Sequence, residues 1–165
     1  MLIPVEIGVW TLYATIPPGC KGVVSHQDYG LIDIERDMAV DVEALIAHGV
    51  GRLVSMMSAD DVLASGMGGL LTDLEGAGIE WTHLPFPSRR IPDEGFPRYL
   101  AEQAEVIRMG LTAGVKIAVH GSGWGPSLLR TLPRLVMSVD SDIHHSEAAA
   151  RAYAAAITGR AIIPM

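Results

Sequence analysis

The chain has 165 residues, 49% of them hydrophobic and 19% charged, and its 12 Lys and Arg against 19 Asp and Glu give a net charge of −7. This length and apolar content suffice for one domain over residues 1–165 with a substantial buried core, and they argue against a disordered chain. No basic run is present, which argues against nucleic acid or an anionic membrane as partner. The single cysteine, Cys20, excludes an intrachain disulfide and a cysteine metal cluster.

Residues 2–14 mix β-branched and aromatic side chains (Val5, Ile7, Val9, Trp10, Leu12, Tyr13), which predicts one or two edge strands. Met1 to Glu6 has no basic stretch or small-residue cleavage site, and no apolar run is long enough to span a bilayer. A cytoplasmic protein is therefore the expectation. Pro17-Pro18-Gly19 forces a turn, after which the sequence reads as a polar stretch. Asp37 can cap a helix running to about His48, with Met38, Val42, Leu45 and Ile46 on one face and Gly49 and Gly51 ending it. Arg52 to Met57 reads as a short apolar strand carrying Leu53, Val54, Met56 and Met57. Asp60 and Asp61 open a short helix that ends near Gly66, and Leu70 to Gly76 forms another.

Ile79 to Leu84 is a predicted strand, after which Pro85, Pro87 and Pro92 hold an extended loop. The clearest helix spans about Pro97 to Thr112, with Leu100, Ala104, Ile107 and Leu111 on its face and Gly114 as its stop. A strand over 115–119 follows, apolar throughout except for Lys116, as suits the middle of a parallel sheet. Two more helices are predicted at about 126–138 and 145–157. Pro126 suits the first helical position, and Pro133 should kink or shorten the same helix. Strands alternating with helices predict an α/β fold, a mostly parallel sheet of about four to five strands with helices on both faces.

Between the strand at 115–119 and the helix at 126 lies His120-Gly121-Ser122-Gly123-Trp124-Gly125-Pro126-Ser127. A strand, a glycine-rich loop and a helix start together make an anion cradle, in which backbone N–H groups and a helix N-terminus converge on a phosphate. Gly121, Gly123 and Gly125 permit positive φ, Pro126 removes one donor, and Trp124 adds a flat side chain able to stack on a ligand or plug the pocket. Arg89-Arg90 is the local positive pair. Asp140, Asp142, His144, His145 and Glu147 form a polar cluster that reads as a solvated loop with helix capping, so no metal and no cofactor are expected. Cys20 reads as a packed, inert thiol.

Taken together, Pro18-Gly19-Cys20-Lys21, the unit Leu45 to Val54, Gly78-Ile79-Glu80-Trp81 before His83-Leu84-Pro85, the unit Val106 to His120, Ser146-Glu147-Ala148-Ala149 and Gly159-Arg160-Ala161-Ile162 follow a familiar order. In it the chain resembles the dual-specificity phosphatases related to the kinase-associated (cyclin-dependent kinase inhibitor-type) phosphatase, over nearly its whole length. The resemblance implies a phosphatase-like α/β domain whose loop carries a nucleophilic cysteine and a phosphate-clamping arginine, with a general-acid aspartate on the proline loop.

Here Gly121 falls at the cysteine position, Ser127 at the arginine position and Ser88 at the aspartate position, while Asp93 matches a later residue that can cap the next helix. A one-residue gap would put Pro126 at the arginine position instead, and Arg130 is about one helical turn too late. The resemblance also implies that His120 supports the backbone and does not act as a base, and that Arg89, Arg90 and Asp93 border the cleft. The expectation is a pseudophosphatase binding a protein or small acidic ligand, with no nucleic acid or membrane partner. The alternatives are an altered hydrolase using Ser122, His120 or Asp93, and an inactive subunit of an oligomer.

Overall fold

The computed structural model describes residues 2–7, 9–26, 30–85 and 95–121, together with Leu132, Leu135, Val136, Ser138 and Val139, which are helical. The chain opens with a hairpin of β1 (Leu2–Ile7) and β2 (Trp10–Thr15), in which Leu2 faces Thr15 and Ile7 faces Trp10. The turn at Pro18 and Gly19 follows. Gly19 has φ +63°, and a Cβ there would come within 2.7 Å of the Met38 side chain, so a substitution would be strained and would have to push Met38 aside.

The segment read as a polar stretch is a second hairpin, β3 (Lys21–His26) with β4 (Gly30–Glu35), which forms a two-stranded sheet of its own. Most of its apolar residues stand in adjacent pairs, Val23-Val24 and Leu31-Ile32, so the two-residue period that marks a strand shows only over Ile32 to Glu35.

Helix α1 (Met38–Ala47) starts where Asp37 accepts the Val40 N–H at 3.1 Å. Strand β5 (Val50–Met56) leads to α2 (Ala59–Ala64), capped by Ser58, and then to α3 (Leu70–Gly76). Strand β6 (Glu80–His83), α4 (Phe96–Thr112) and β7 (Lys116–Gly121) complete the described elements.

The main sheet has the order β1-β2-β7-β5-β6, with β2, β7, β5 and β6 parallel to one another and β1 antiparallel to β2. Strand β2, expected at an edge, is internal: β1 covers one side while Tyr13 and Ala14 pair with Ala118 and Val119 on the other. Pro4 lies in β1, the outer strand, opposite Tyr13. Strand β7 is central as expected, and it runs on through His120 and Gly121, two residues past the predicted end.

Successive strand residues face opposite sides, and this alternation builds two cores. Val54, Met56, Ile117 and Val119 pack with Leu100, Ala104, Ile107 and Leu111 of α4. Leu53 and Ala118 pack with Val42 and Leu45 of α1 and Leu70 and Leu74 of α3. The sheet thus carries helices on both faces, the predicted α/β arrangement. Each such Leu, Ile or Val contributes about 1.5–3 kcal/mol on burial. Among the described residues no helix is long and apolar enough to cross a membrane.

Candidate functional site

Parallel strands β5, β6 and β7 end on the same side of the sheet, and in open α/β sheets the carboxyl ends of the strands are where ligands bind. The last level of that side is polar. In the strand register Ser55 of β5 stands between His83 of β6 and His120 of β7. Ser55 Oγ and His120 Nε2 are 2.6 Å apart, and the Trp81 indole N–H donates to the same Oγ at 2.7 Å. An indole can only donate, so Ser55 Oγ accepts from Trp81. A carbonyl can only accept, so with the His120 Nδ1 proton turned to the Gly121 carbonyl, Nε2 accepts from the Ser55 hydroxyl. His120 then keeps its proton on Nδ1, which points at the Gly121 carbonyl at 3.4 Å.

His120 is 0% exposed, and burial pushes its pKa down to about 4, with a smaller contribution from His83 in the same direction. The imidazole is therefore neutral at neutral pH. His83 sends Nε2–H to the Met57 carbonyl at 2.8 Å and stacks on Trp81 with ring centroids 5.2 Å apart. From the other side of the sheet, the Tyr99 hydroxyl of α4 donates to the His83 carbonyl at 2.7 Å. The end of β6 is thus tied to β5 by a side chain and to α4 through its backbone.

Gly121 closes β7, buried and in register with Met56. Of the residues assigned to the anion-binding loop, His120 and Gly121 are strand residues. Ser122, Gly123, Trp124, Gly125 and Ser127 lie outside the described residues, as do Ser88, Arg89, Arg90, Asp93 and the cluster from Asp140 to Glu147. Ser55 and Trp81 complete the network around His120 and were not singled out from sequence. The available signal was a serine at an inward position of an otherwise apolar strand, since a buried hydroxyl requires partners.

Cys20 is buried, and desolvation raises its thiol pKa against the opposing pull of Arg36, which suits a packed residue and not a nucleophile. The nearby Asp41 is also buried. It accepts the Gly19 N–H at 2.9 Å and a two-pronged contact from the Arg36 guanidinium, which pins the turn after β2 to α1. Among the described residues no group of three or more His, Cys, Asp or Glu side chains could hold a metal ion.

No family model matches this chain, and no curated protein matches it. Solved structures do. A kinase associated phosphatase with its catalytic-site cysteine replaced by serine matches with a TM-score of 0.67 at 21% identity, over 84% of this chain and 71% of that one. Tk-PTP in its active form matches with a TM-score of 0.59 at 15% identity, over 90% of this chain and 82% of that one. The chain therefore has the α/β fold of these phosphatases.

Proposed function

We propose that this protein is a pseudophosphatase, a domain of phosphatase fold that works as a binding or regulatory module through the loop leaving β7. The observation that carries this reading is Gly121. It is the buried last residue of the central strand, and it brings no nucleophile to the position where the resemblance expects a cysteine thiolate. Ser127 and Ser88 likewise bring no guanidinium and no carboxylic acid to the other two functional positions.

His120 supports the same reading. One ring nitrogen is engaged by Ser55 and the other faces the Gly121 carbonyl, so neither is left to activate Ser122 as a hydrolase would require. In this reading the ligand is a phosphorylated or otherwise acidic protein or small molecule. On the same reading backbone N–H groups around Gly123 and Gly125 would hold it, with Trp124, Arg89 and Arg90 as the further contacts the resemblance implies.

Thermal unfolding of the purified chain with millimolar tungstate or phosphate, paired with an aryl phosphate hydrolysis assay, tests the proposal. Ligand at 100 times its Kd should add about 2.7 kcal/mol, seen as a raised Tm that Gly123→Leu abolishes, with no turnover. Turnover lost in Ser122→Ala would favour the altered hydrolase. Neither shift nor turnover would leave the anion-binding role without support.

A further inference from the structure

Two histidines stand at the ends of β6 and β7, and their rings are engaged differently. His120 is fully buried with both ring nitrogens turned to neighbours, whereas His83 is half-buried and only its Nε2 has a partner among the described residues. A carbonyl can only accept, so the bond to Met57 places the proton of the neutral His83 ring on Nε2. Nδ1 is then a bare acceptor.

His83 is held more firmly than a half-buried side chain needs. Its ring lies on Trp81 with the planes 11° apart, its carbonyl accepts from Tyr99, and the N–H of the next residue, Leu84, donates to the Ser55 carbonyl at 2.9 Å. Ring and backbone are pinned together, which is how a side chain is prepared in advance for a contact. The strand register gives its level. Met56 faces Gly121, the last residue of β7, so the Met57 carbonyl that holds the ring lies one step further on, level with the point where the chain leaves β7.

We propose that His83 Nδ1 contacts the anion at the strand ends and selects one that carries a proton of its own, as hydrogen phosphate does, over a fully ionised one. The inference rests on the anion-binding reading and narrows its ligand. A bare nitrogen accepts from a P–OH group, whereas against an unprotonated oxygen two acceptors face each other and both lose water without gaining a bond. A site built around one such bond discriminates strongly against a ligand that lacks it. Sulfate matches hydrogen phosphate in shape and in charge at pH 8 but has no proton to give. A doubly ionised phosphate monoester is in the same position.

The test is calorimetric titration of the full chain with phosphate, sulfate and methyl phosphate at pH 8, above the range in which imidazoles ordinarily take up a second proton. Phosphate is expected to bind at least tenfold more tightly than the other two. His83→Gln, whose amide can still donate to the Met57 carbonyl, and His83→Phe, which keeps a ring against Trp81, should each bring phosphate down to the level of sulfate. Nitrogen NMR of the wild-type ring should show a bare Nδ1 whose resonance moves with phosphate and not with sulfate, a response that a merely structural His83 would not give. Equal affinities for the three anions, a preference that survives both substitutions, or a proton on Nδ1 in the free chain overturns the inference and leaves anion binding standing. Binding of none of the anions overturns both.

Discussion

Strands β5 and β7 feed the two faces of one sheet from alternating residues, and the two faces end differently. Towards α4, Val54, Met56, Ile117 and Val119 keep β5 and β7 apolar up to their ends, with Thr82 of β6 beside them. Towards α1 and α3, Leu53 and Ala118 give way two residues later to Ser55 and His120, joined by Trp81 and His83. Ser55 and His120 are as fully buried as Met56 and Val119, so this polar pair must be satisfied internally, whereas the apolar side needs only shape. Among the described residues of β5 and β7, polarity near the carboxyl ends is therefore built on the α1 and α3 side, beside the end of β7.

The largest effects should be common to both faces. Ile117→Ala on the α4 side and Leu53→Ala on the other remove fully buried side chains and should each cost about 2–5 kcal/mol, measured by urea unfolding. A much smaller loss on one side would show that its core is the softer of the two.

Acid should separate the faces. His120 titrates near 4 when folded, against an ordinary value of 6.5. Between these values the unfolded chain takes up a proton that the folded chain refuses. The contribution is complete above pH 6.5, falls by about 3 kcal/mol as the pH drops to 4, and levels off below that. His120→Gln should remove this component, leaving a flatter stability profile between pH 7 and 4 than the wild type. Identical profiles would break the comparison.

Next in size, Ser55→Ala leaves the Trp81 N–H and His120 Nε2 without a partner and should cost about 2 kcal/mol. Combined with His120→Gln it should cost less than the sum of the two, because both act on one network. The smallest effect serves as a baseline away from either face: Asp37→Ala, which loses the cap of α1, should cost about 1 kcal/mol by the same measurement.

Local signals made much of this fold legible in the sequence. The Asp37 cap and the spacing of Val42 and Leu45 located α1, Leu70 to Gly76 matches α3 residue for residue, and the run before His120, apolar except for Lys116, marked the central strand. Non-local pairing hid the rest. The interior place of β2 depends on β1 folding back over it and on a partner strand about a hundred residues later, which no window of sequence contains. Among the described residues the β3–β4 hairpin pairs only with itself, and the adjacent apolar pairs Val23-Val24 and Leu31-Ile32 interrupt its alternation. In the site, the position of His120 was legible, but its partner Ser55 lies 65 residues away in a strand whose apolar neighbours drew the attention.

Pro4 in the outer strand β1 bears on behaviour at high concentration. A sheet edge offers a row of N–H donors to any incoming strand, and proline leaves a gap near the middle of that row. Edge-to-edge polymerisation is disfavoured there. At the opposite rim β6 is only four residues long and carries the exposed Glu80, so each end of the sheet carries its own brake on fibril growth.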